Sequence, residues 1–237
     1  MNKRNSFFNN CKWPLSGLLL TVVLFTACKK DKTEFVQPPA AGLMAFNLAA
    51  DKPAVGFSLS NNPLGNAALN YTGFTGTYLP IFIGEREVRT FDYTSGATIA
   101  TANQDFKDSA YYSAFLIGAN GTYRNLVVTD NFADVKPAAG KAWVRFINAI
   151  PDSTATTTVT IGEANENAAY ASVSAFKQAN AGDLNVAVSN GSTINKSRTI
   201  NLEENKIYTV LFVGLPNQTD STKAVQIRYI QNGTATE

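Results

Sequence analysis

The stretch WVRFINA, residues 143–149, decides the fold class. Val144, Phe146 and Asn148 share one face of an extended chain, and the residues between them share the other face. Alternation with a period of two, in β-branched and aromatic residues, is typical of a half-buried β-strand. The stretch therefore predicts that a β-strand opens the second half of the chain.

The residues that follow repeat this pattern. Alternating apolar positions recur in four further runs: Thr157–Ile161, Leu184–Val188, Ile200–Leu202 and Val225–Tyr229. The run IYTVLFV, residues 207–213, is apolar on both faces, which predicts a central strand. Turn residues separate the runs, for example Asn190-Gly191. About seven strands in roughly 95 residues is the density of an immunoglobulin-like sandwich.

The first half of the chain repeats the second. Phe46–Asp51 matches Ile147–Asp152 at an offset of 101, and Tyr112–Gly118 matches Tyr208–Gly214 at an offset of 96. Tyr71 matches Tyr170 in the same order, and Val128–Asn131 matches Tyr229–Asn232, again at an offset of 101. Blocks that keep their order with small insertions indicate a duplicated unit.

These patterns predict an all-β protein made of two tandem immunoglobulin-like β-sandwich domains, each seven-stranded and antiparallel. The predicted boundaries are 42–131 for the first domain, 132–141 for a linker and 142–237 for the second domain. In the first half, Ile81–Phe91 predicts one long strand with Gly84 as a bulge. Tyr170–Gln178 is compatible with a single helical turn.

The second half resembles a known family. Its strand and turn VRFINAIPD (144–152), the glycine before a V-x-V strand in Gly182–Val188, and the strand NKIYTV (205–210) resemble motifs of the domain of unknown function 4397. The resemblance covers nearly all of residues 42–233. The first half departs from it at Ala50-Asp51, where the motif has Pro-Asp. The resemblance implies the sandwich fold and a lipoprotein context, and cell-surface adhesion is the role suggested for such proteins.

The N-terminus has the pattern of a secretory signal. Lys3 and Arg4 precede the short apolar run Leu15–Thr26, which falls short of the roughly 20 residues that span a bilayer. Thr26-Ala27-Cys28 resembles the end of a lipobox, although Phe25 stands where Leu, Val or Ile is usual. We therefore expect a signal peptide at 1–27 and lipidation of Cys28. An uncleaved helical anchor and ordinary secretory cleavage are the alternatives.

A polar tether is predicted between the lipid and the first domain, at residues 28–41. Lys29-Lys30-Asp31 resembles the charged export tags of surface lipoproteins in the Bacteroidetes, and Pro38-Pro39 favours an extended spacer. We expect an outer-membrane protein held by its lipid at the cell surface. The periplasmic face is the alternative.

The charge balance indicates which partners to expect. Removing Lys3, Arg4 and Lys12 with the signal leaves 17 basic residues against 18 acidic residues. This near-neutral mature chain has no basic patch for nucleic acid, so no nucleic-acid partner is predicted. The predicted contact with the membrane is the lipid anchor itself.

The catalytic inventory is small. The chain has no histidine, which excludes Ser-His and Cys-His nucleophiles and the usual zinc sites. Glu85, Glu87, Asp105 and Asp108 are the acidic residues weighed as carboxylate pairs, and a solvated strand face is the favoured interpretation. The sequence predicts no catalytic residues, no metal and no cofactor.

A ligand surface, if present, is expected at the tyrosines of the first domain, because aromatic rings stack on sugars and on partner proteins. These are Tyr71, Tyr78, Tyr93, Tyr111 and Tyr123. The one tryptophan of the mature chain, Trp143, is expected in the core.

Three functional hypotheses follow. The first is a non-enzymatic interaction or adhesion module on a lipid anchor, with a surface protein or a glycan as partner. The second is an accessory carbohydrate-binding lipoprotein of a glycan-uptake system. The third is a hydrolase that uses a pair of carboxylates.

Overall fold

The computed structural model describes residues 38–151 and 157–236. Residues Pro39–Glu237 form one compact unit. The predicted signal peptide, Cys28 and most of the predicted tether lie outside the described residues. None of the described residues forms a helix that could cross a membrane.

The first half of the unit contains nine strands in two sheets. They are β1 (Ala40–Asn47), β2 (Ala54–Leu59), β3 (Asn62–Pro63), β4 (Leu69–Asn70), β5 (Leu79–Phe82), β6 (Gly84–Asp92), β7 (Thr98–Phe106), β8 (Tyr111–Ala119) and β9 (Thr122–Asp130). One sheet packs against the other half of the unit, and we call it the inner sheet; it has the order β5-β1-β8-β9. The outer sheet has the order β3-β2-β6-β7, and β4 also pairs with β2.

The described residues of the second half contain eight strands. They are β10 (Lys141–Asn148), β11 (Thr158–Ile161), β12 (Ala164–Asn167), β13 (Lys177–Asn180), β14 (Gly182–Ser189), β15 (Asn195–Leu202), β16 (Lys206–Val213) and β17 (Gln226–Thr234). Its inner sheet has the order β13-β10-β16-β17, and its outer sheet has the order β12-β11-β14-β15. Both inner sheets contain one parallel pair, β1 with β8 and β10 with β16.

The predicted all-β sandwich fold is confirmed. The prediction of purely antiparallel sheets is wrong, because β1 with β8 and β10 with β16 pair in parallel. The predicted seven strands per half is too low, because short edge strands raise the count among the described residues to nine and eight. β1 begins at Ala40, two residues before the predicted domain boundary at 42. Trp143 is buried as expected, and its indole nitrogen donates to the carbonyl of Lys136 at 2.8 Å.

The three largest apolar cores hold four layers of sheet together. One core lies between the two sheets of the first half, around Val55, Val88 and Leu116. The second lies between the two sheets of the second half, around Val186 and Phe212. The third joins the two inner sheets, and we call it the seam. Its fully buried side chains include Phe46, Phe115, Ile117, Ile147 and Leu211.

The seam explains why some strands are apolar on both faces. In β16, Tyr208, Val210 and Phe212 pack into the core of the second half, whereas Leu211 and Val213 pack into the seam. The prediction that residues 207–213 form a central strand is confirmed, since β16 lies between β10 and β17. A strand that is covered on both faces by other layers loses the polar alternation of a surface strand.

The internal repeat also appears in equivalent hydrogen bonds. At the end of β1, Asn47 accepts from the N–H of Ala49, and at the end of β10, Asn148 accepts from the N–H of Ile150. The segments beside them are alike: the N–H of Thr72 donates to Asn47, and the N–H of Ala171 donates to Asn148. The repeated Asn residues therefore fix the same turn in both halves.

The segment Tyr170–Gln178, for which the sequence allowed a single helical turn, forms a tight turn followed by a strand. Ser172 donates its N–H to the carbonyl of Ala169, Val173 forms an isolated bridge with Ile147, and β13 begins at Lys177. This pairing with β10 holds the segment extended.

The prediction of a single long strand over Ile81–Phe91 is wrong, because these residues belong to two strands, β5 and β6. β5 belongs to the inner sheet and β6 to the outer sheet, so the chain changes sheets between Phe82 and Gly84. Gly84 has a φ of 94°, a conformation that L side chains rarely adopt. The bulge expected at Gly84 is instead a corner between the two sheets, and Gly182, with a φ of 100°, forms the same corner before β14.

Candidate functional site

The five predicted tyrosines do not form one surface. Tyr93 and Tyr111 are 42% and 44% exposed, whereas Tyr71, Tyr78 and Tyr123 are half-buried. Tyr78 and Tyr111 lie together, with ring centroids 5.1 Å apart. The other three have separate surroundings.

Tyr71, Tyr93 and Tyr123 have structural contacts of their own. Tyr71 packs into the seam, where its counterpart Tyr170 also packs. The hydroxyl of Tyr93 donates to the carbonyl of Asn66 at 2.9 Å. The hydroxyl of Tyr123 donates to Asp51 at 2.6 Å. The hydroxyls of Tyr93 and Tyr123 are therefore bonded within the protein, and the ring of Tyr71 is packed in the seam.

Tyr78 and Tyr111 belong to an aromatic cluster at one end of the seam. Phe132 packs against both, with centroid distances of 5.9 and 5.5 Å, and Phe176 packs against Phe132 at 5.3 Å. A pocket of about 310 Å³ opens beside the cluster, and its polar lining includes Lys136. We call this the aromatic pocket. The predicted linker therefore contributes side chains to a packed surface.

A buried polar network lies beneath the aromatic cluster. Arg145 of β10 forms an ion pair with Asp130 of β9 at 2.5 Å, and both side chains are almost completely buried. The guanidinium also donates to Ser113 at 2.8 Å and to Thr209 at 3.0 Å. The hydroxyl of Tyr78 donates to Asp130. Each charged group is thus satisfied by partners from both halves.

The network follows the internal repeat. Ser113 donates to Asp130 in the first half, and Thr209 donates to Asn232 in the second half. β8 pairs Ser113 with Val128, and β16 pairs Thr209 with Ile230, so the structural offset at the chain ends is 102, one more than the predicted 101. Sequence reasoning missed this network. The available signal was an arginine within an otherwise apolar strand.

The network suits stability better than chemistry. Burial, together with the charge of Asp130, raises the pKa of Tyr78 well above its usual value, so its hydroxyl stays protonated as a donor. The Tyr78 hydroxyl also accepts from the side-chain amide of Asn232 at 3.2 Å. No side chain of this network is left with a free reactive group.

The open side of the first sandwich carries an apolar groove. The groove lies between the edge strands β5 and β3, has a volume of about 460 Å³, and we call it the first-half groove. Phe82 is 70% exposed there, the largest exposure of any large apolar side chain in the described part of the chain. The remaining lining residues are Leu59, Asn62, Pro63, Leu64, Leu79, Pro80, Ile81 and Arg86.

The second sandwich has a groove in the equivalent place, but with polar walls. This groove, of about 620 Å³, lies between β13 and β12, and Lys141, Glu163 and Asp183 are among its lining residues. Lys177 of β13 forms an ion pair with Glu166 of β12 and so connects the two edges. The two copies of the unit have therefore diverged in the chemistry of this groove.

The acidic residues considered as candidates for catalysis lie in solvent. Glu85 of β6 faces Asp105 of β7, Glu87 faces Asn103, and Glu85, Glu87, Asp105 and Asp108 are all exposed. Asp105 forms an exposed ion pair with Lys107. Within residues 38–151 and 157–236, no group of three acidic or thiol side chains could hold a metal ion.

Comparison with known proteins agrees with this duplicated architecture. The model of the family described as Domain of unknown function (DUF4397) matches residues 41–158 and again 142–228. The chain belongs to this family. No curated protein sequence gives a significant match.

One solved structure that matches is that of a candidate cell adhesion protein from Bacteroides eggerthii DSM 20697. It shares 10% sequence identity, with 85% of this chain and 98% of that chain covered, at a TM-score of 0.23. At this TM-score the likeness supports no statement about function. Membership of the DUF4397 family, matched twice along the chain, is the firm result of the comparisons.

Proposed function

We propose that this DUF4397 protein is a non-enzymatic interaction or adhesion module, anchored by lipid at Cys28 outside the cytoplasm. In this proposal the two sandwich units are 42–131 and 142–237, joined by 132–141. The protein would sit on the outer face of the outer membrane, with the tether between lipid and first unit.

The observation that carries the proposal is the first-half groove. It combines a mainly apolar lining with the most exposed large apolar side chain of the described residues, Phe82. Exposed apolar patches on soluble folds mark interaction surfaces, because water-exposed apolar area favours burial against a partner. The polar groove of the second half shows that the fold does not require an apolar lining at this place.

The location is tested by external protease on intact cells. The wild-type chain should stay with the membrane fraction and be digested, and Cys28→Ala should release it from the membrane. A wild-type chain found in the cytoplasm would contradict the anchoring. So would a Cys28→Ala variant that stays in the membrane fraction to the same extent as the wild-type chain.

The interaction is tested by site-specific photo-crosslinking in the same cells. The photoreactive residue p-benzoylphenylalanine replaces Phe82 in one variant and Tyr93 in a matched control, since both side chains are exposed aromatics. A discrete adduct at position 82, absent at 93, supports a partner at the groove. Absence of adducts at both positions counts against an interaction surface there.

A carbohydrate-binding role is the second candidate. The supporting observation is the aromatic pocket, where the half-exposed ring of Tyr111 lies beside Lys136 and the hydroxyl groups of Thr234 and Thr236. Aromatic faces with nearby polar groups can stack on and hydrogen-bond to sugars. Glycan-array binding that Tyr111→Ala abolishes and Tyr93→Ala preserves would support this role, and silence of the wild-type chain would refute it.

A further inference from the structure

We propose that the first-half groove binds an extended peptide segment of a partner protein, which adds as a strand to β5 and places a carboxylate at Arg86. This proposal deepens the interaction role proposed above and rests on it. The carrying observations are the unpaired edge of β5, the apolar lining and an unpaired guanidinium.

The edge of β5 presents backbone groups outward. The N–H of Gly42 donates toward β8 at 2.9 Å, so the odd-numbered residues of β1 face β5. The bonded pairs between the two strands therefore include Ala41 with Ile81. The backbone groups of Pro80 and Phe82 consequently point away from β1, and the sheet has no strand beyond β5 among the described residues. Such an edge is a template for an added strand.

Two prolines restrict what this edge accepts. Pro80 on β5 and Pro63 on β3 have no N–H, so the outward edge of β5 offers the N–H of Phe82 and the carbonyls of Pro80 and Phe82. Proline on an edge strand limits unselective pairing between sheets. A bound strand must therefore gain much of its affinity from side chains in the groove.

The side chains of the groove select alternating apolar residues. Leu59 and Ile81 are buried in the floor, and Leu64, Leu79 and Phe82 form the apolar walls. An extended chain projects every second side chain to the same face. One face of a bound strand can thus fill the groove while the other faces solvent.

The charge of the groove selects an acidic residue. The guanidinium of Arg86 donates to the carbonyl of Ile83 at 3.2 Å and lies 6.0 Å from the ring centroid of Phe82. No carboxylate within the described residues forms an ion pair with it, and Arg86 is the one ionisable residue that lines the groove. A carboxylate on the bound peptide would complete its hydrogen bonds.

The equivalent groove of the second half does not share these properties. Its edges are connected by the ion pair between Lys177 and Glu166, and Asn180 stands where the first half has Phe82. The proposal is therefore specific to the first half, and the second half provides a control within the same molecule.

The test uses the full chain in lipid nanodiscs and a fluorescent peptide of about eight residues, a common strand length. The peptide alternates Val and Thr and carries one central Glu. Fluorescence anisotropy should show saturable binding that Phe82→Ala weakens by about tenfold or more. Tyr93→Ala and Asn180→Ala are the matched controls and should leave the affinity unchanged. Far-UV circular dichroism confirms that each variant is folded.

Charge exchange and backbone methylation test the two specific parts of the proposal. Arg86→Glu should weaken binding of the Glu peptide and favour a peptide with Lys in its place. A peptide methylated at every backbone nitrogen has no N–H donor on either edge, cannot pair as a strand and should lose binding. Equal binding of the methylated peptide, or displacement by a fatty acid alone, would show a general apolar or lipid site and overturn the proposal.

These outcomes are separate from those of the anchoring experiment. A chain that binds the peptide but resists external protease on cells would refute the surface location and keep the peptide site. A chain that is anchored and exposed, yet binds no peptide, would refute the peptide site and leave the wider interaction role standing.

Discussion

Arg145 is buried between the two inner sheets, and its counterpart in the first half is Met44. The two positions show that the seam can hold either an apolar side chain or a charge with partners. In a buried ion pair the loss of one partner costs far more than the loss of both, because a lone buried charge has no compensation.

The first prediction uses this difference. Arg145→Met should lower the free energy of unfolding by about 3–5 kcal/mol, because Asp130 loses its ion pair while buried. The double variant Arg145→Met with Asp130→Asn places at each position the residue that the other half carries and should recover most of that loss. Urea unfolding of both variants measures the difference. A double variant as unstable as the single one would contradict this account.

The second prediction concerns Tyr71, whose buried hydroxyl has no hydrogen-bond partner. Burial raises the pKa of Tyr71, and the nearby Gln226 and Arg228 lower it in part. No side chain, however, meets hydrogen-bonding geometry at the Tyr71 hydroxyl. Tyr71→Phe should therefore leave stability at neutral pH unchanged or raise it by about 1 kcal/mol. Tyr123→Phe is the matched control, since the Tyr123 hydroxyl donates to Asp51 at 2.6 Å and that variant should lose stability.

The same side chain predicts a pH dependence. Burial raises the pKa of Tyr71 from 10.0 to about 12. The unfolded chain thus loses this proton near pH 10 while the folded chain keeps it, so stability is full below pH 10 and falls as the pH rises from 10 to 12. Tyr71→Phe should reduce this fall by about 2 kcal/mol. Unfolding at a series of alkaline pH values tests it, and equal slopes for both proteins would exclude Tyr71 as a source.

At the scale of elements, the hairpin that joins β8 to β9 depends on the approach of two backbones. A Cβ on Gly118, which has a φ of 124°, would lie 2.1 Å from the carbonyl oxygen of Thr122. Gly214, its counterpart after β16, shows the same approach to Ala224 at 2.3 Å. The repeated glycine thus marks a contact that no side chain fits.

The third prediction separates this contact from backbone strain. Gly121→Ala, at a φ of 87° with open space around it, should cost about 1–2 kcal/mol. Gly118→Ala adds an overlap with backbone atoms and should cost roughly 1–3 kcal/mol more. Thermal and urea unfolding give both values. Equal costs for the two variants would mean that the close approach relaxes freely.

The elements that the sequence predicted correctly are those with a clear period. Alternation located β10, β11 and β14, and a continuous apolar run located β16, because one or both faces of each strand are buried. The corner at Gly84 escaped prediction, since β5 and β6 keep one extended pattern while their pairing partners change. Pairing depends on residues far away in the chain, which periodicity does not describe.

The candidate sites were predicted less completely for a related reason. The tyrosine pattern led to Tyr78 and Tyr111, but the partner of Tyr78, Asp130, becomes its neighbour only through the tertiary fold. Phe82 was overlooked because an apolar residue in a strand normally indicates a core position. Its 70% exposure arises because β5 is the edge strand of its sheet and no further strand covers it among the described residues.

At the scale of the whole molecule, the seam joins the two halves into one hydrophobic body. Phe115 and Leu211, one from each half, are fully buried in it, and the ion pair of Arg145 with Asp130 crosses from one half to the other. Separating the halves would expose this apolar surface and leave the charges unpaired, which costs free energy on both counts. The halves should therefore unfold together, as one cooperative unit.

The fourth prediction tests that cooperativity in the full chain with a substitution far from the seam. Val186→Ala removes a fully buried side chain from the core of the second half and should destabilise by roughly 2 kcal/mol. The fluorescence of Trp143 reports on the second half, and hydrogen exchange of the amides in β2 and β6 reports on the first half. If the seam couples the halves, the variant lowers the urea midpoint of both probes equally, whereas Lys196→Ala on the exposed face moves neither. First-half amides that keep their wild-type midpoint in Val186→Ala would mean that each half folds alone, because a coupled molecule cannot lose stability in only one of its parts.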